Sequence, residues 1–265
     1  MQLPQEQKAA DFLALHEGEA FIIPNPWDAG SARVLEALGF KALATTSSGL
    51  AFTLGRPDGG ATLDEVTEHV GLLDRSTSLP VTVDLENGYG PDPEAAASAI
   101  AHAAGAGAVG GSIEDYDPEG KIYDFDHAVE RVAAACEAAK RLSFPFMVTA
   151  RAENHIRGNP DLDDTIARLR AYERAGADVL YAPGLLSGEE IRAVCEVVSK
   201  PLNVLARAGL SMSEIVDAGG RRISVGGALT WVALEAMVNA AEKLRDDGDF
   251  SSLDVPVRTQ EWFGA

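Results

Sequence analysis

The sequence predicts an α/β fold, a single (β/α)8 TIM barrel spanning residues 1–265, and three observations predict it. Short apolar runs suited to buried parallel strands alternate eight times with helical patterns. No linker interrupts that rhythm, and 265 residues is a usual length for one such barrel. The helix-to-strand turns are short and place glycine where a helix end needs a left-handed residue, as in LGF at 38–40 and AGA at 175–177. An open doubly wound sheet accounts less well for eight consecutive units.

Taken in order, a helix over 4–17, with Phe12, Leu13 and Leu15 among polar neighbours, precedes the barrel. Strand 21–24 leads to helix 28–38, and strand 41–46 leads through a long segment to helix 62–76. Strand 81–84 precedes helix 93–105, strand 108–114 precedes helix 125–142, and strand 146–150 precedes helix 161–175. The last rounds are strand 178–182 with helix 187–199, strand 202–206 with helix 211–218, and strand 222–226 with the long helix 229–246.

A formal charge of −19 disfavours nucleic acid and other polyanions as partners, because their phosphates need a neutralising surface. Small anionic substrates remain compatible, since a local arginine or metal reverses the potential inside a cleft. Cys136 and Cys195 read as buried thiols, with no disulfide framework. No signal peptide or apolar span is visible, so the expectation is a cytoplasmic protein away from membranes.

The stretch Val81–Gly90, VTVDLENGYG, ends a β-branched run in carboxylates. Strand alternation puts Asp84 and Glu86 on one side, a hard-cation site of the kind Mg²⁺ uses with one or two carboxylates plus waters. Active sites of these barrels lie at the C-terminal strand ends. There the first strand offers Asn25, Trp27 and Asp28, the second Thr45 to Gly49, the fourth Glu114 and Asp115, and the fifth Arg151, Glu153 and Asn154. Carboxylates from several strands at one rim repel one another unless a cation joins them, which favours a metal site over solvated loops. The segment 47–61, with Arg56 and Asp58, reads either as a lid that closes over bound substrate, with Asp58 approaching the metal waters, or as an ordinary mobile loop. The loop 116–124, with Lys121 as its only cation, is a second gate.

Other signals are weaker. Gly105, Gly107 and Gly110 spell a dinucleotide fingerprint but close a helix and enter a strand, the reverse of what that motif requires. Lys41 and Lys200 stand at the strand starts, the wrong end for Schiff-base chemistry. His16, His69, His102 and His127 fall in helical patterns, only His155 is near the rim, and no spacing suits zinc. Trp231 and Trp262 read as core or interface residues.

Five segments, NPWDAGSARVLEALGF, TTSSGLAFTLGRPDG, VTVDLENGYG, GGSIEDYD and ARAENHIRG, together resemble the isocitrate lyase and phosphoenolpyruvate mutase superfamily from about residue 20 to about 245. The resemblance implies a Mg²⁺-dependent barrel, with Mn²⁺ as a substitute, that binds a 2-oxo acid and makes or breaks C–C or P–C bonds beside its carbonyl. By position, Asp84 resembles the direct metal ligand, and Glu86, Glu114 and Asp58 resemble the holders of metal-bound water. Ser48, Gly49 and Leu50 resemble the segment that binds the substrate carboxylate, Arg151 resembles the arginine facing the enolate oxygen, and Trp27 and Asn154 join the expected substrate contacts. The resemblance also implies a homo-oligomer, dimer or tetramer, whose final helix is exchanged between barrels.

The chain departs from the family in the loop after the fourth strand, where the true lyases carry Lys-Lys-Cys-Gly-His and this sequence has no cysteine. At the sixth strand end, Tyr181 to Gly184 stand where several relatives have a glutamate or histidine, and Glu86 replaces a common aspartate. The reading favoured is a Mg²⁺-dependent lyase cleaving a C–C bond of a small 2-oxo acid, as in oxaloacetate decarboxylation, which needs no base to begin. P–C chemistry on phosphonopyruvate-type acids, methylisocitrate-type cleavage and a non-catalytic 2-oxo acid binder are the alternatives.

Overall fold

The structure, a computed structural model, describes residues 3–264. The predicted apolar runs become β1 (Phe21–Ile23), β2 (Leu43–Ala44), β3 (Val81–Asp84) and β4 (Gly110–Glu114), then a small antiparallel hairpin, β5 (Tyr116–Asp117) and β6 (Lys121–Ile122). They continue as β7 (Met147–Arg151), β8 (Val179–Tyr181), β9 (Leu202–Leu205) and β10 (Arg222–Ser224). The eight longer-range strands pair in parallel in the order β1-β10-β9-β8-β7-β4-β3-β2. The ring closes between β1 and β2 through the Ala44 amide, which donates to the Pro24 carbonyl at 3.1 Å, and through Asn25 Nδ2, which donates to the Thr45 carbonyl at 2.9 Å. The expected barrel is thus the observed one.

Helices α1 (Gln5–Glu17), α2 (Ala29–Ala37), α3 (Ser47–Thr53), α4 (Leu63–Ser76), α5 (Pro93–Gly105) and α6 (Phe125–Lys140) come from the first half of the chain. The second half supplies α7 (Leu162–Ala175), α8 (Gly188–Cys195), α9 (Met212–Asp217), α10 (Ala228–Asp247) and α11 (Thr259–Phe263). Local chemistry fixes where several begin: Asp28 with Ser31, Thr62 with Glu65, Ser187 with Glu190 and Ser211 with Glu214 form reciprocal caps. The main core lies between sheet and helices, with Val83, Ile113, Val148, Leu180 and Val204 against Ile100, Leu169 and Ile191. Such burial of branched side chains contributes roughly 1.5–3 kcal/mol each.

The barrel bottom is plugged by α1. Phe12 is fully buried with Ile23, Val109, Met147 and Val179. Gly110 leaves the ring its place, for a Cβ there would stand 3.1 Å from it and 2.9 Å from the Met147 carbonyl oxygen.

Three expectations change and one narrows. The segment after β2 is not loop throughout, because Thr46 caps the short helix α3 before the chain opens at 54–61. The loop after β4 is the β5–β6 hairpin. Cys195 is only half-buried, whereas Cys136 is buried. Trp231 is 48 % exposed, so of core and interface only the interface fits it. No helix among the described residues is long and apolar enough to cross a membrane.

Candidate active site

Alternation along β3 cannot by itself bring Asp84 and Glu86 together, because the strand stops at Asp84 and Glu86 adopts a left-handed φ of 49°. That correction matters to the geometry. A non-glycine residue in this region costs on the order of 1 kcal/mol or more, and the turn is held by the Glu86 carbonyl, which accepts the Glu114 amide at 2.9 Å. The turn brings the Glu86 amide to within 3.3 Å of Asp84 Oδ1 and places both carboxylates within mutual electrostatic reach.

Asp84 Oδ1 also accepts from Ser112 Oγ at 3.3 Å and from Arg151 Nη1 at 3.0 Å. Arg151, at the end of β7, stands in the middle of the rim. Its Nη2 lies 3.1 Å from Glu114 Oε2 and 2.7 Å from Glu153 Oε1, and its guanidinium covers the Tyr181 ring at 5.1 Å. Burial opposes its charge, but Glu153, Glu114 and Asp84 outweigh burial and hold the guanidinium firmly protonated. Asp115 faces away from the cavity, where it accepts the Glu153 amide at 2.8 Å, Arg168 Nη1 at 3.1 Å and the Tyr172 hydroxyl at 2.5 Å. It fixes the backbone that presents Glu153.

Sequence reasoning missed Arg157. It lies on the turn after Glu153, donates from Nε to Glu153 Oε2 at 3.0 Å, approaches Glu114 Oε1 at 3.5 Å and stacks 3.7 Å from the Tyr116 ring of the hairpin. Its distance of four residues from Glu153 was the available signal.

Two recesses meet at this rim. An inner cavity of about 200 Å³ runs into the barrel and is lined near its mouth by Thr46, Ser47, Ser48, Asp58, Asp84 and Arg151. An outer recess shares Ser47, Asp58 and Arg151 and adds Glu86, Glu114 and Arg157. Ser48 keeps its place against Thr46 Oγ1 at 3.1 Å, and Gly227 is required beside it, since a Cβ there would lie 2.5 Å from Ser48 Oγ.

The remaining expected contacts lie elsewhere. Leu50 is packed into the apolar core, and Trp27 sits behind Gly49, whose missing Cβ would be 3.1 Å from the Trp27 Cβ. Asn154 is fully buried; its Nδ2 donates to Thr165 Oγ1 at 2.7 Å and to the Asp161 carbonyl at 3.0 Å. It braces the turn behind the rim and lines neither recess.

A divalent cation fits the donors present. Glu86 is pushed up to about 7, first by burial and then by the Asp84 and Asp58 carboxylates. Burial raises Glu114 well above the usual carboxylate range, with Glu153 and Asp84 adding to the effect. Carboxylates outnumber the two arginines, and the donors are oxygens, which suits a hard ion such as Mg²⁺. Among the described residues no group of three or more His, Cys, Asp and Glu is drawn together as a ready cage. Mg²⁺ does not require one, because it commonly keeps several waters and takes one or two carboxylates.

Known proteins resemble this chain over most of its length. The family model for phosphoenolpyruvate phosphomutase matches residues 12–245. A crystal structure from Burkholderia cenocepacia J2315, named provisionally as a lyase/mutase, is 50 % identical over 98 % of this chain and 97 % of its own, with a TM-score of 0.95. The oxaloacetate decarboxylase of Paraburkholderia xenovorans strain LB400 is 32 % identical over 83 % of this chain and 76 % of its own. An oxaloacetate acetylhydrolase, solved once with its product oxalate and once with the inhibitor 3,3-difluorooxalacetate, is 27 % identical over 98 % of this chain and 94–95 % of its own, with TM-scores of 0.88 and 0.87.

Proposed function

The chain belongs to the isocitrate lyase and phosphoenolpyruvate mutase superfamily, and on that premise we propose that it is a Mg²⁺-dependent lyase that cleaves a C–C bond beside the carbonyl of a small 2-oxo acid. One observation carries this reading: carboxylates at Asp84, Glu86 and Glu114, the last of them buried, crowd around Arg151 at the mouth of the inner cavity. Asp84 would hold the ion directly, and Glu86, Glu114 and Asp58 would hold its waters. Mg²⁺, or Mn²⁺ in its place, would supply a Lewis acid that draws electron density from the bond to be broken.

The chain's own residues would do the rest. Ser47 and Ser48 line the cavity where the acid enters, and Arg151 presents N–H groups where negative charge develops as an enolate forms. Three carboxylates pin that guanidinium, so it needs no reorganisation during the reaction. Decarboxylation of an oxaloacetate-like acid is the simplest case, because it needs no base to start. The hairpin β5–β6, which has no cysteine, leaves methylisocitrate-type cleavage without that acid. P–C chemistry is the second reading, supported by the family model's phosphomutase description. Exposed apolar side chains on α10, among them Trp231, Val232 and Met237, support a homo-oligomer in which that helix meets another barrel.

The test is an NMR screen of 2-oxo and phosphono acids with Mg²⁺, repeated with Asp84→Ala. Release of CO₂ or a second carbon fragment that falls at least about 100-fold in the variant is the expected outcome. Release of phosphate instead supports P–C chemistry, and turnover unchanged in Asp84→Ala removes the proposed ligand.

A further inference from the structure

The interior of a (β/α)8 barrel is ordinarily filled by branched apolar side chains. Here the space below the rim is lined by Thr82, Ser112, Thr149, Asn203, Arg222 and Ser224 and stays open as the lower part of the inner cavity. The register explains how. Glu114, Arg151, Tyr181, Asn203 and Arg222 are successive cross-strand partners from β4 to β10, so they share one face of the sheet. Because barrel strands are staggered, this row descends from the last residue of β4 at the rim to the first residue of β10 at the floor.

Arg222 is 5 % exposed and lines that cavity. Its Nε donates to Asn203 Oδ1 at 2.8 Å, and its Nη2 donates to Thr149 Oγ1 at 2.9 Å. Its Nη1 meets His16 Nε2 at 3.5 Å. That imidazole is neutral: Nδ1 is bonded to the Phe12 carbonyl at 2.8 Å, and burial, then Arg222, holds the ring down to about 4. A guanidinium carries five N–H donors. These bonds leave one on each terminal nitrogen without a partner among the described residues.

Other buried cations here have a carboxylate or several backbone carbonyls beside them. Lys8 pairs with Asp74, Arg168 with Asp115 and Asp164, and Arg131 lies in a ring of backbone carbonyls from Asn87, Gly90, Pro91 and Asp92. No carboxylate among the described residues pairs with Arg222. Burial pulls its pKa down to about 10, which leaves it charged at neutral pH.

We propose that Arg222, with Asn203 and Thr149, forms a second anion site at the cavity floor, which takes a carboxylate of the ligand bound at the rim. This rests on the lyase reading and narrows its substrate class. The cavity is negative at its mouth and positive at its floor, so it orients an acid whose chelating end lies above and whose far carboxylate lies below. A carboxylate gripped there is not one that leaves as CO₂, because its loss would strip the guanidinium of its counter-ion again. The substrate therefore carries one carboxylate more than bond cleavage uses. Where the bond is broken by loss of CO₂, the 2-oxo product is a diacid small enough for about 200 Å³.

The matched probes are 2-oxoglutarate and 2-oxovalerate, which share a chain length and differ by the far carboxylate. Calorimetry with Mg²⁺ is expected to show at least about a tenfold preference for the diacid in the wild type. Arg222→Met should reduce that preference to about twofold or less while keeping the 2-oxovalerate affinity, and Thr149→Val should reduce it partly if Arg222→Met does not fold. Equal affinities in the wild type, or a preference that survives both substitutions, overturns the site. A second arm uses succinate without metal and follows the thermal midpoint. A rise in the wild type and in Asp84→Ala but not in Arg222→Met is expected. If succinate behaves so while neither 2-oxo acid binds with Mg²⁺, the anion site stands and the lyase reading falls. If succinate and the 2-oxo acids all fail, both fall.

Discussion

The two ends of the barrel handle buried charge in opposite ways. At the N-terminal end the Lys8 ammonium is fully buried, and its three donors go to Asp74 Oδ1 at 2.7 Å, the Asp74 carbonyl at 3.0 Å and the Thr77 carbonyl at 2.9 Å. One cation meets one carboxylate and two carbonyls, and the plug helix α1 is tied to the end of α4. At the C-terminal end Asp84, Glu86, Glu114, Glu153 and Asp58 share Arg151 and Arg157, and Glu86 is pushed up to about 7. A cluster built for stability closes its own charge balance, whereas a cluster left with surplus negative charge is prepared for a cation from outside.

The largest effect should come from breaking the balanced end. Lys8→Met removes the donor to Asp74 Oδ1 and to the Asp74 and Thr77 carbonyls and should cost about 3–5 kcal/mol in urea unfolding. The activity of the folded protein should not change, because α1 lies across the barrel from Asp84. A stability loss below about 1 kcal/mol would show that the floor pair is no more than an ordinary surface contact.

Acid should then separate His69, where α4 packs on α2, from the rim carboxylates by sign. His69 on α4 is held down to about 4 by burial, against the pull of Asp28, and its Nε2 has no hydrogen-bond partner. Between pH 6.5 and 4 the unfolded chain binds a proton that the folded one refuses. Stability attached to His69 is therefore complete above pH 6.5 and falls as pH drops toward 4, by on the order of 3 kcal/mol. His69→Leu should flatten that part of the pH–stability curve. A curve with the same slope in the variant would assign the acid loss to other groups.

What the sequence disclosed follows the same division. Strands and helices were legible because β-branched runs and helical spacing repeat, and six of the helix starts carry Ser, Thr or Asp caps that can be read by eye. Asp84, Glu114 and Arg151 were legible because each is the last residue of its strand. Glu86 was named for the wrong reason, since alternation ends before it and a left-handed turn brings it in. Asn154 was read as a substrate contact because it follows the rim residues in sequence, yet its side chain turns inward to Thr165. Lys8 and Arg222 were invisible. Charged residues at a helix or strand start look solvated until the barrel closes around them, and only the stagger of the strands shows that Arg222 shares an interior with Asp84.

Adding the missing cation should bring the rim to the same balance as the Lys8–Asp74 pair. Mg²⁺ at a hundredfold excess over its dissociation constant should raise the unfolding free energy of the wild type by about 2.7 kcal/mol. It should leave Asp84→Ala unchanged. Equal stabilisation of both proteins would mean that the ion binds elsewhere.

The smallest effect is the most direct measure of surplus charge at the rim. Glu86 has a folded pKa of about 7 against an ordinary value of 4.5, so between those limits the folded protein holds a proton that the unfolded chain has lost. The penalty is absent below pH 4.5 and complete above pH 7, opposite in sense to His69. Glu86→Gln removes the charge but still buries an amide, so the metal-free protein should gain only about 1 kcal/mol at pH 8 and nothing at pH 4. With Mg²⁺ present the substitution should turn from a gain into a loss, because the carboxylate then has the ion to face. A variant destabilised equally with and without metal would mean that Glu86 supports the turn through its hydrogen bond from the Tyr89 hydroxyl, at 3.4 Å, and that its charge is incidental.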